Sequence, residues 1–189
     1  MATIDLGICV SRETFGCCSI SNLELFLLNS FKIVSTNYQP HFESAYYYNS
    51  ETDQGAEIYS IDKAIEKVLA GDIYNKFSFC IAGEHCAASI GSWQSGITVN
   101  VNLDYDSIQK ISASGTPEAV LQYLRENMYG LFQTLPYQFA FADFDSEVEY
   151  SYNQLLDKIK SGDYPYTLLL IDRNGRLAEY RSGYNLLGI

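Results

Sequence analysis

Residues 142–151 read ADFDSEVEYS, and Asp143, Asp145, Glu147 and Glu149 fall on every second position. Side chains at that spacing share one face of a β-strand. A continuous strand therefore predicts four carboxylates in one row. Like charges in a row repel and destabilise a sheet unless a metal, a proton-transfer role, a basic partner or water answers them.

Each answer demands different neighbours. FAFADFDS is an apolar run followed by Asp-x-Asp. It resembles the first motif of haloacid-dehalogenase-type phosphotransferases, which implies Asp143 as nucleophile, Asp145 as general acid and magnesium beside them. Such enzymes place this motif early and follow it with a Thr or Ser, a Lys and another acidic pair. Here about 40 residues remain, and no acidic pair follows. A non-catalytic calcium or magnesium loop needs carboxylates converging around a Gly bend, and no Gly lies within the row. A basic protein surface needs only that the carboxylates point outward together. A solubilising surface needs nothing more than water.

Charge favours the third answer. The chain has 189 residues and a formal net charge of -11. Between Val101 and Glu149 there are eight acidic residues against two basic ones, whereas the chain from Tyr150 onward is slightly basic. This acidity disfavours nucleic acid as a ligand, because phosphates are repelled. In TVNVNLDYD, residues 98–106, Val99, Val101, Leu103 and Tyr105 alternate with Thr98, Asn100, Asn102, Asp104 and Asp106. That alternation predicts a second strand with one packed face and one acidic, amide-rich face.

Sixteen tyrosines are the other unusual feature. Tyr46, Tyr47 and Tyr48 are consecutive, with Glu43, Glu51, Asp53 and Glu57 nearby. One or more of the three must face away from a core. Tyrosine suits interfaces, through ring contact and its hydroxyl, and pairs with Lys or Arg by cation–π contact. A half-buried strand or a self-associating strand would use the same residues.

The remaining nucleophiles and ligands form no compact pattern. The cysteines are Cys9, Cys17, Cys18, Cys80 and Cys86, an odd number that suits a reducing, cytoplasmic setting. Cys80, Cys86, His85 and His41 match no zinc spacing, and small apolar core roles are expected for Cys80 and Cys86. Gly16-Cys17-Cys18 is either buried filler or a reactive thiol pair. GSWQSG, 91–96, lacks the Gly-x-Ser-x-Gly elbow and reads as a turn, with Trp93 in the core. There is no dinucleotide or phosphate loop, so no cofactor is expected. No apolar run of about 18 residues and no secretory leader is present, so no membrane association is expected.

The positioning elements are legible from periodicity. Helices are predicted over SNLELFLLNSF (21–31), SIDKAIEKVLAG (60–71), TPEAVLQYLRENMYGLFQTL (116–135) and SYNQLLDKIKSG (151–162). Ser21 with Glu24, and Ser151 with Gln154, have capping-box spacing. Thr116-Pro117 is a helix start. Gly130 inside the third helix costs about 1 kcal/mol relative to Ala, which predicts a packing reason. Strands are predicted over TIDLGICV, HFESAYYY, KFSFCIAG, AASIGSW and ITVNVNLDY, and YTLLLIDRNGRLAEY reads as a hairpin around Asn174-Gly175. The pattern implies one α+β domain spanning 1–189, with a mainly antiparallel or mixed sheet packed by about four helices.

DFDSEVEY, NVNLDYD and AYYYNSETD together resemble in type the small acidic immunity proteins of bacterial toxin systems, including contact-dependent inhibition. The resemblance spans the whole chain. It implies a non-enzymatic cytoplasmic protein that neutralises a basic cognate toxin. Asp104, Asp106, Asp143, Asp145, Glu147, Glu149, Tyr46, Tyr47 and Tyr48 are then the expected contact residues. The alternatives are a metal-dependent hydrolase or phosphotransferase using Asp143 and Asp145, and a self-associating structural subunit.

Overall fold

A computed structural model describes residues 3–17, 42–49, 51–70, 76–81, 87–93, 96–144, 146 and 148–182. For 16–17, 42–43, 61, 76–81, 87–88, 93, 107 and 111 it describes the backbone only. The elements run β1 (Thr3–Ser11), α1 (Arg12–Cys17), β2 (Phe42–Asn49), β3 (Gln54–Ile58), α2 (Ile61–Ala70), β4 (Lys76–Ile81) and β5 (Ala87–Trp93). They continue as β6 (Gly96–Asp104), α3 (Tyr105–Ile111), α4 (Pro117–Thr134), β7 (Phe139–Phe144), α5 (Tyr152–Lys160), β8 (Leu168–Asp172) and β9 (Leu177–Arg181).

The strands form one nine-stranded sheet in the order β3-β2-β4-β5-β6-β1-β7-β8-β9. Every pairing is antiparallel. The architecture is the expected α+β class. β1 lies near the centre, and its alternation sets the two faces. Ile4, Leu6, Ile8 and Val10 are fully buried toward α1, α2, α3 and α4. Burying each such side chain stabilises the fold by about 1.5–3 kcal/mol. Asp5, Gly7 and Cys9 point the other way.

Among the described side chains, the second face is apolar toward β7 and β8. There Phe139, Phe141, Leu169 and Ile171 pack with Leu155 of α5 and with Tyr166. This half of the sheet is covered on both faces, so β8 reads as an uninterrupted apolar run, Leu168–Ile171, with no exposure. Phe141 lies flat on Tyr166, their ring centroids 3.9 Å apart. It also spans its register partner Gly7, where any Cβ would collide with the Phe141 ring.

Capping follows the sequence. Thr116 accepts from Ala119 N, with Pro117 opening α4. Ser151 and Gln154 form the complete capping box of α5. Val120, Leu121, Leu124, Met128, Leu131 and Phe132 form the buried face of α4. In α2, Ile65 and Val68 are buried, whereas Leu69 is exposed. Asn174 and Gly175 both have positive φ, 58° and 82°, as a two-residue type I′ hairpin requires.

Four expectations change. Gly130 has nothing within 4 Å of where a Cβ would stand, so no packing reason accounts for it. β3 is an additional strand, exposed from Gln54 to Glu57. An edge strand without a buried side has no hydrophobic alternation to announce it. Asp106 and Tyr105 do not extend β6; they begin α3, where Tyr105 and Ile108 are buried at helical spacing. The acidic segment is not a strand beyond Phe144. The helix expected at 21–31 lies outside the described residues.

Candidate functional site

β7 stops at Phe144 because its partners stop. β8 pairs with it only as far as Ala142, and β1 only as far as Phe144. Beyond this point Phe144 packs toward the main core while Val148 joins the opposite cluster. A strand would place both on one face. Ser146 and residues 148–150 are not in a strand, so Asp143 and Glu149 do not share one continuous strand face. Asp145 and Glu147 lie outside the described residues. Asp143 is half-buried at the end of β7, and Glu149 is exposed on the connection to α5.

What holds this segment is a residue that reasoning from the row missed. Asp5, the third residue of β1, is 6% exposed. It stands in register with Asn102 on β6 and Asp143 on β7. Asn102 Nδ2 donates to Asp5 Oδ1, and the Ser146 backbone N–H donates to Asp5 Oδ2 at 2.8 Å. Asp143 Oδ1 accepts from Thr167 Oγ1 at 2.7 Å and from Phe144 N at 2.9 Å. Two like charges on directly opposed strand positions repel. Neutral N–H and O–H donors offset this through charge-assisted hydrogen bonds. The signal for Asp5 was present: TIDLGICV alternates, and Asp5 opposes its apolar side.

Asp104 closes β6 in register with Thr3, and Asp106 follows in the first turn of α3. Carboxylates there interact favourably with a helix start. Tyr105 and Phe144 tie α3 to the end of β7, their rings 5.8 Å apart. Asp104, Asp106, Asp5 and Asp143 are thus gathered at one end of β6, β1 and β7. Sequence alternation placed Asp104 and Asp106 on one strand face; a strand-to-helix corner brings them there instead.

The rest of the acid is partitioned differently. Glu179 is bridged by Arg125 and Arg181, and Arg181 also reaches Glu118 at 2.9 Å. Lys158 pairs with Asp163 and Lys160 with Asp157. By contrast, no Lys or Arg makes an ion pair with Asp106, Asp143 or Glu149 among the described residues.

The tyrosines lie elsewhere. β2 and β7 are five places apart in the sheet, about 24 Å at normal strand spacing. Tyr46 and Tyr48 are 49% and 41% exposed, on the same face as Asp5 and Asp143. Tyr46 spans Gly55, and the Tyr48 hydroxyl donates to Asp53 at 2.6 Å. Tyr47 turns to the opposite face, where the Lys67 ammonium sits 5.5 Å from its ring centroid. Among the described members of the nine expected contact residues, the tyrosines of β2 stand apart from Asp104, Asp106 and Asp143. Tyr46 and Tyr48 brace the β2–β3 hairpin, and Tyr47 belongs to another surface.

Cys9 is buried, and burial pushes its thiol up to about 12, far from a reactive thiolate. His41, His85, Cys18 and Cys86 lie outside the described residues, as do the side chains of Cys17, Cys80 and Trp93. Among the described residues no helix is long and apolar enough to cross a membrane.

No protein-family model matches the chain, and no curated protein matches it. Among solved structures, it is similar to a chain in the 1.75 Å crystal structure of the toxic C-terminal tip of CdiA from Pseudomonas aeruginosa in complex with immune protein. The identity is 12% and the TM-score 0.43, over 77% of this chain and 88% of that one.

Proposed function

We propose that this chain is a non-catalytic binding protein that docks a basic protein through the acidic end of β6, β1 and β7. In the narrower form of the proposal, the basic protein is a cognate toxin and the chain is its immunity-type inhibitor. One observation carries the reading. The described ion pairs join Arg125, Arg181, Lys158 and Lys160 to Glu118, Asp157, Asp163 and Glu179, while among the described residues Asp106, Asp143 and Glu149 carry none. Unneutralised carboxylates grouped at one end of a sheet create a field that attracts a cationic surface and speeds its encounter.

Affinity would rest on a few anchors within that surface rather than on its total charge. Asp5 and Thr167 serve it indirectly. Their hydrogen bonds fix Ser146 and Asp143, and so the course of the chain that presents the charge.

The test is capture. Wild-type protein and the double variant Asp106→Lys/Glu149→Lys are immobilised and exposed to extract of the source cell at low and high salt. A basic protein retained by wild type, lost from the variant and released by salt supports the proposal. Retention of the same proteins by both forms refutes it. Suppression of that protein's toxicity on co-expression then distinguishes the inhibitor from a simple binding partner.

A further inference from the structure

The opposite face of the sheet carries a site of different character. Where α2 crosses the β2–β3 hairpin, a groove of about 590 Å³ is lined by Tyr47, Ala56, Ile58, Lys63, Lys67 and Ala70, with Glu66 also on its wall. That volume falls within the usual range of ligand sites. Its floor is apolar. Its helix wall carries two ammonium groups in a chain with only 12 Lys and Arg residues. Among the described residues neither Lys63 nor Lys67 makes an ion pair.

The groove runs beside an open sheet edge. β3 ends the strand order, and Gln54 through Glu57 are exposed. Its outer backbone N–H and C=O groups face no described strand. An unpaired edge is a template for an added strand. Spacing gives the added segment its chemistry. Lys63 and Lys67 stand one helical turn apart, about 6 Å. Alternate residues of a strand stand about 7 Å apart. Carboxylates at alternate positions, which share one face of a strand, therefore match the two ammonium groups on that face.

We propose that this groove takes an extended, acidic segment of a partner protein, which adds to β3 as a tenth strand. The site is separate from the acidic end: it lies at the β3 edge of the sheet and selects the opposite charge.

The experiment uses a phage-displayed library of random linear decapeptides, selected on the full chain. Peptides enriched on wild type are resynthesised and titrated against Lys63→Glu/Lys67→Glu and against Ala56→Trp, which fills the floor. Melting curves first establish that both variants fold. If the lysine variant does not, Lys63→Gln/Lys67→Gln replaces it. The expected result is enrichment of sequences with Asp or Glu at alternate positions. Their affinity should fall roughly tenfold on the lysine variant, as loss of two exposed ion pairs implies, and fall on Ala56→Trp as well. Amide exchange at Gln54–Ile58 should slow on binding. Lack of enrichment, enrichment of lysine-rich peptides, equal affinity for the variants, or unchanged exchange in β3 would each overturn the proposal. So would a stable dimer with β3 already protected, which would place a second copy in the groove.

Discussion

Asp5 and Asp143 are direct cross-strand partners on β1 and β7, two carboxylates answered by amide, hydroxyl and backbone donors. Asp5→Ala leaves the Ser146 N–H and the Asn102 amide without this acceptor. A loss of about 1–3 kcal/mol is expected, measured by urea unfolding. Asp5→Asn should cost less, because it keeps one acceptor oxygen and removes the like-charge contact with Asp143.

Two glycines should respond with opposite signs to the same substitution. Gly7→Ala pushes a methyl group into a Phe141 ring already stacked on Tyr166. It should destabilise by about 1–3 kcal/mol. Gly130→Ala enters open space in α4 and should stabilise by up to about 1 kcal/mol, through helix propensity. Thermal melting of both variants beside wild type checks the pair.

Glu179 carries a pH dependence of defined sign. Partial burial alone would raise its pKa, but hydrogen bonds from Arg125 and Arg181 outweigh this and hold it below the usual carboxylate value. A carboxyl lowered on folding contributes stability above its unfolded pKa and loses it as pH falls through the folded value. Stability should therefore decline below about pH 4.5. Glu179→Gln should be less stable at pH 7 and show a shallower acid decline in denaturant titrations.

Cys9 should resist alkylation by iodoacetamide at pH 8 in the folded protein. Its thiol is buried and titrates near 12, so little thiolate exists. Peptide mass mapping should find Cys9 modified only after denaturation. Modification at the native rate of an exposed thiol would contradict its placement under α5 and Phe139.

The elements that the sequence announced are those whose periodicity reflects burial. β1, β6, α4 and α5 show this, since alternation or a 3.6-residue stripe is what a core imposes. β3 gave no such sign because it has no buried side. Residues 142–151 misled for the converse reason. Alternating charge imitates a strand, but only a pairing partner makes one, and β1 and β8 both end near Phe144. Register is likewise invisible in a single chain. The opposition of Asp5 to Asp143 joins residues far apart in sequence, and two strands, β4 and β5, stand between Tyr46 and the nearest strand of the acidic end. Composition did identify the net acidity; only coordinates show which acids the chain neutralises internally.

The steering role of the acidic end is tested most directly by association kinetics with the captured partner. Stopped-flow rates are measured for wild type and Asp106→Lys/Glu149→Lys from about 10 mM to about 500 mM salt. The account predicts a wild-type association rate that falls steeply with salt, and a variant that is slow at low salt while dissociation changes less. An association rate that is independent of salt, and equal for the two proteins, would contradict it.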